Sequence, residues 1–176
     1  MTGAASMRKL PRVIRLDQSD AHIFEAPAAP GEIAVSGAFA FADADPAALK
    51  GRDLIAFAQT FLGLGSFGRA TLVQVARVAD EDAEVATQAL ASHFVEAWGA
   101  PDAAAALPVA REEIAFAESL CVEHAPGQLL AVERAFGDEG LVERFRAVAR
   151  PSGLDHSRVW TLVPDDAEDD GEERGA

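Results

Sequence analysis

The chain has 176 residues, 49% of them hydrophobic, which is enough apolar material for one domain with a buried core. Its formal net charge of −14 repels phosphate backbones and argues against nucleic acid as a partner, and no apolar run reaches the ~18 residues of a membrane span. A single cysteine, Cys121, excludes an intramolecular disulfide and a cysteine-rich zinc module.

No apolar core follows the basic residues of the opening MTGAASMRKLPR, so it does not read as a secretory signal, and a cytoplasmic protein is the expectation. Met7 is a second candidate for the natural start, with residues 1–7 as a flexible N-terminus and 8–164 as the domain. Residues 12–17 alternate and predict a short strand, and residues 21–26 predict a second one that ends before the 27–31 loop. Residues 33–41 alternate most clearly. Ile33, Val35, Phe39 and Phe41 share a large face; Ala34, Ser36, Ala38 and Ala40 share a small one that would let a helix or a second subunit approach. Gly37 interrupts the large face and marks a bulge or a close contact.

Asp45-Pro46 and Lys50-Gly51 punctuate a loop, after which residues 52–62 predict a helix with Leu54, Ala58, Phe61 and Leu62 on one stripe. The run Gly63-Leu64-Gly65-Ser66-Phe67-Gly68 matches the dinucleotide fingerprint G-x-G-x-x-G, which needs a strand before it and a helix opening at it. Here a helix precedes and a strand, residues 70–78, follows. The glycines therefore read as a helix cap and turn, supplying backbone freedom, and not as a phosphate cradle. Ser66 is no nucleophile elbow either, because Leu64 stands where that motif needs glycine.

Asp80 is the expected N-cap of a helix to Trp98, burying Ala86, Leu90, Phe94 and Ala97, with Gly99 as its stop. A further helix from Pro101-Asp102, with a break expected at Pro108, aligns Ala110, Ile114, Ala117 and Cys121. Residues 129–136 predict a strand, 137–140 a turn, 141–149 a short helix and 158–163 a last strand. Residues 165–176 hold seven acidic residues against Arg174, a local charge of −6, and read as a disordered acidic tail that could dock a basic protein partner. The sum is an α+β fold: a single domain with a mainly antiparallel sheet of about five or six strands and about four helices packed mostly on one face.

Two groups of residues could carry chemistry. Cys121 and His124, three apart, share a helix face with Glu118, a spacing suited to metal ligands or to a thiolate polarised by histidine. The competing reading makes Cys121 the end of an apolar stripe and His124 a partner for last-turn carbonyls. The second group is basic. Arg12 and Arg15 lie near the N-terminus, and Arg144, Arg146, Arg150 and Arg158 lie in the last third. If the first and last strands are neighbours, these form one patch for a phosphate, a carboxylate or the acidic tail. Otherwise they balance local acids at the surface.

The stretches KLPRVIRLDQSD with HIFE, PGEIAVSGAFAF, FLGLGSFGRATLVQV, EEIAFAESLC and HAPGQLLAVERAF together resemble a bacterial family known only as a domain of unknown function, over about residues 7–163. The resemblance implies a small cytoplasmic protein without an established activity, and it transfers no catalytic residue. With no complete catalytic set and no cofactor motif in its proper context, the favoured reading is a non-catalytic interaction or accessory protein, self-associating as a homodimer or binding another protein. The alternative is a small-ligand or metal-dependent enzyme using Cys121 and His124. Nucleotide binding at the glycine run is the least favoured.

Overall fold

The computed structural model describes residues 5–150. The predicted strand at 158–163, Arg158 and the acidic tail lie outside them. The elements run β1 (Met7–Val13), α1 (Ser19–Ile23), β2 (Ala34–Val35), a 3-10 turn (Ala38–Phe41), α2 (Arg52–Gln59), β3 (Phe61–Gly63), β4 (Arg69–Ala70), β5 (Val73–Ala79), α3 (Asp80–Ala97), α4 (Ala103–Cys121), β6 (Leu129–Gly137) and β7 (Gly140–Val148). The protein is an α+β domain, and its strands fall into two antiparallel sheets: β1-β5-β6-β7 and the smaller β2-β3-β4. An isolated bridge between Arg12 and Ile33, flanked by Val13 N–H donating to the Glu32 carbonyl at 2.8 Å, ties the edge of the large sheet to the small one.

Helices α3 and α4 close the core on one side. Leu90 and Phe94 of α3 and Ala110 and Ile114 of α4 pack on Leu10 and Val78 of the large sheet and on Val35 and Leu62 of the small one. The second half of the core joins Val73, Val75, Leu130 and Val132 to Phe61, with Cys121 at the end of α4 among them. The α3 stripe matches its prediction at Ala86, Leu90 and Phe94, whereas Ala97 is exposed. Helix α4 runs unbroken through Pro108, its first turn fixed by Asp102 accepting from Ala105 N–H at 2.8 Å.

Four local expectations change. Residues 19–23 are helical, not extended: Asp17 receives Ser19 N–H, and the buried Asp20 carboxylate accepts the N–H and hydroxyl of Thr71, pinning α1 to the chain before β5. The alternation at 33–41 yields only two strand residues before Gly37, at φ 72°, turns the chain into the 3-10 segment. Its small side is interior, with Ala34 and Ser36 buried, so it presents no surface to a second subunit there. Helix α2 stops at Gln59, leaving Phe61 and Leu62 in β3 and Leu54 exposed.

Residues 141–148 form a strand instead of a helix. With Gly140 they pair with β6 across nine positions through the tight Asp138-Glu139 turn. The period of two is disguised because the inward position 143 is a glutamate. Glu143 has a partner: the guanidinium of Arg134, completely buried, donates to it from Nη2 at 2.8 Å and Nε at 3.1 Å. Arg134 also donates to the carbonyls of Phe57, Ser36 and Thr60, so one side chain ties β6 to the end of α2 and to β2. Those carbonyls are orphans of a helix terminus and a strand end, and Arg134 satisfies them.

Candidate functional site

The glycine run is the turn of the β3–β4 hairpin, closed by Gly63 N–H donating to the Gly68 carbonyl at 2.9 Å. A strand, not a helix, leads directly into it, and neither a C-cap nor a left-handed glycine is present: the residue with positive φ is Phe67, at 54°. The glycines are needed for space. A Cβ on Gly65 would stand 2.6 Å from the Glu32 carboxylate, and one on Gly68 would stand 2.6 Å from the backbone of residues 26–28. Glu32 fills the loop as an internal anion, accepting from Ser66 N–H, from the Ser66 hydroxyl at 2.8 Å and from Ala29 N–H. The cradle that could have held a phosphate holds the protein's own carboxylate.

Beside this turn lies a cavity of about 470 Å³, within the range of small-ligand sites. Its inner wall is Phe24, Ile23, Ala56, Phe67 and Arg69; its rim is Glu25, Ala26, Lys50, Arg52 and Asp53, all exposed. Arg69 is positioned by β4, whose backbone crosses residues 26–28, and its guanidinium fits under Gly37, where a Cβ would come within 3.3 Å of Nη1. Its Cζ sits 4.7 Å from the centroid of Phe41, which also faces Arg134 at 5.5 Å.

Among the described residues the Arg69 side chain has no ion pair and no hydrogen-bond acceptor, and its Nη1 is fully buried. Burial first, and the neighbouring charge of Arg134 second, push its pKa down to about 10, still charged at neutral pH. Phe67 is held in its left-handed conformation by stacking on His93, with ring centroids 3.8 Å apart and planes within 6°. Such a conformation costs an aromatic residue about 1–3 kcal/mol and persists only where the surroundings fix it. His93 Nε2 accepts the indole N–H of Trp98 at 3.1 Å, and burial lowers its pKa, opposed by Glu96 and assisted by Arg69.

The residues singled out from sequence lie elsewhere. Cys121 is fully buried, and burial pushes its thiol up to about 11. Glu118 is paired with Arg8 at 2.6 Å. His124 meets β1 through its carbonyl, which with that of Val122 receives Lys9 Nζ at 2.8 Å. Among the described residues no three of histidine, cysteine, aspartate and glutamate come together as a metal would require. Arg144 and Arg146 on β7 do not join Arg12, because two strands separate β1 from β7 at opposite edges of the large sheet. Arg12 donates to the Gly31 carbonyl and Arg15 to that of Ala28, while Arg146 faces Glu133, the register partner of Arg144, at 3.5 Å across the hairpin. Arg150 donates to Gln74, the register partner of Arg12.

Sequence reasoning missed Arg69, Phe67 and Lys50. One signal was present: Arg69 is the only charged residue between Asp53 and Arg77, in an otherwise apolar and small stretch. A family model described as a family of unknown function (DUF6505) matches residues 7–163. The chain belongs to that family. No curated protein and no solved structure matches it. Membership agrees with the segments quoted above and assigns no activity, so the site is read from its own chemistry. No helix among the described residues is long and apolar enough to cross a membrane.

Proposed function

We propose that this protein is a non-catalytic binding or accessory protein that takes up a small anion in the cavity between α1, α2 and the β3–β4 hairpin. Arg69 carries the reading. A guanidinium desolvated without a counter-ion costs several kcal/mol, and the contact with Phe41 offsets only about 0.5–2 kcal/mol of that. The nearest charged influence on Arg69 is a second cation, Arg134, whose own hydrogen bonds are spent on Glu143 and three carbonyls. An anion seated in the cavity against Arg69 supplies the missing charge, the rim being balanced between Lys50 and Arg52 and the acids Glu25 and Asp53. A binding role is supported further by the inert surroundings of Cys121 and by His93, whose Nε2 is engaged by Trp98.

Thermal unfolding in chloride, acetate, sulfate and phosphate tests this. An anion that binds the folded state at about 100 times its Kd stabilises by about 2.7 kcal/mol. The melting temperature of the wild type should climb with one of these anions, and that of Arg69→Gln should not. Equal rises in the two proteins would sink the reading, because they would report a general salt effect.

A further inference from the structure

Resting on that reading, we propose that the ligand is a small monocarboxylic acid with an aromatic or branched apolar body, bound carboxylate-first against Arg69. The burial gradient of the cavity orients it. The inner wall offers one guanidinium set among Phe24, Ile23, Phe67 and Ala56, so a single negative charge can be met there and the atoms behind it lie on hydrocarbon. A planar guanidinium matches a carboxylate through two parallel hydrogen bonds.

A phosphate is served poorly by the same wall. It calls for more donors than one arginine supplies, and in the adjacent glycine turn the N–H of Ser66 is committed to Glu32, those of Gly63 and Leu64 to the carbonyls of Gly68 and Ile33, and that of Gly68 to the Ser66 hydroxyl. The rim balances Lys50 and Arg52 against Glu25 and Asp53, so the outer end of the ligand meets no net charge and is neutral or zwitterionic. The cavity, of about 470 Å³, leaves room for a ring or branched chain beyond the carboxylate.

Calorimetric titration of the full chain with phenylacetate, isovalerate, acetate and inorganic phosphate tests the inference. Phenylacetate or isovalerate should bind about tenfold or more tightly than acetate, from burial of the extra carbon surface, and more tightly than phosphate. Arg69→Gln, with its fold checked by circular dichroism, should lose all of them. Ala56→Phe fills the apolar part of the cavity without touching Arg69; it should abolish binding of the two larger acids and spare acetate. Phosphate binding at Arg69 as tightly as phenylacetate, or acetate as tightly as either large acid, overturns this inference and leaves the anion site standing. No heat from any probe up to about 10 mM, a concentration that would reveal even millimolar affinity, overturns both.

Discussion

Substituting Gly65→Ala should destabilise the protein through Glu32 and not through the backbone. The added Cβ would lie 2.6 Å from Glu32 Oε1, while the φ of Gly65 is outside the left-handed region, so alanine strains nothing else there. Evicting the carboxylate breaks three hydrogen bonds: from Ala29 N–H, Ser66 N–H and the Ser66 hydroxyl. Bonds to a charged acceptor contribute about 1.5–3 kcal/mol each, but these are solvent-exposed, so roughly 1 kcal/mol apiece is the fitting value. The expected loss is therefore about 2–3 kcal/mol, or about 5–10 °C in melting temperature for a chain of this length.

Urea denaturation of wild type, G65A, E32A and the double variant closes a thermodynamic cycle. With Glu32 gone the three nearest atoms to the new Cβ are removed, and the alanine should change stability by about 0.5 kcal/mol or less. Strict additivity would refute the internal-anion account of this turn. So would a G65A protein as stable as the wild type.

Three further outcomes follow from buried charge. Arg134→Met should cost about 3–5 kcal/mol in chemical denaturation, since it strands Glu143 and the carbonyls of Phe57, Ser36 and Thr60; a loss under about 1 kcal/mol would show that Arg134 is not the tie between β6 and α2. Glu113 has its pKa raised, chiefly by burial and then by Glu143 and Glu112, so its ionisation weakens the folded state as pH rises through the folded-state value. Glu113→Gln should accordingly melt about 2 °C higher than wild type at pH 7, with the difference vanishing near pH 4; a gain at pH 4 as large as at pH 7 would contradict that origin. Cys121, buried with its thiol pushed up to about 11, should resist aromatic disulfide reagents at pH 8 in the native protein and react fully in denaturant. Rapid native labelling would place the thiol at the surface.

The sequence showed the core helices well because α3 and α4 carry their apolar residues at helical spacing, so Leu90, Phe94, Ala110 and Ile114 could be named in advance. It misled wherever a charged side chain points inward. Glu143 broke the alternation of β7, and the meaning of Arg134 became visible only with Phe57, Ser36 and Thr60 beside it, 74 to 98 residues away. The glycine run was read as a helix cap, whereas its glycines make room for Glu32 and the 26–28 backbone, a long-range fact that a turn motif does not encode. The cavity was illegible for the same cause, since α1 with the chain after it, the Lys50-to-α2 segment and the hairpin meet there from three separate stretches of chain.

The most direct measurement of the anion site is the side-chain Nε–Hε resonance of Arg69 in a nitrogen-15 spectrum, assigned by its loss in Arg69→Gln and followed during titration with phenylacetate. A saturable shift of Arg69, with Arg134 changing little because its donors are already engaged, is the predicted result. An Arg69 resonance that stays fixed through the titration, and through parallel ones with acetate and phosphate, would contradict the proposal that this half-buried, unpaired cation awaits an anionic ligand.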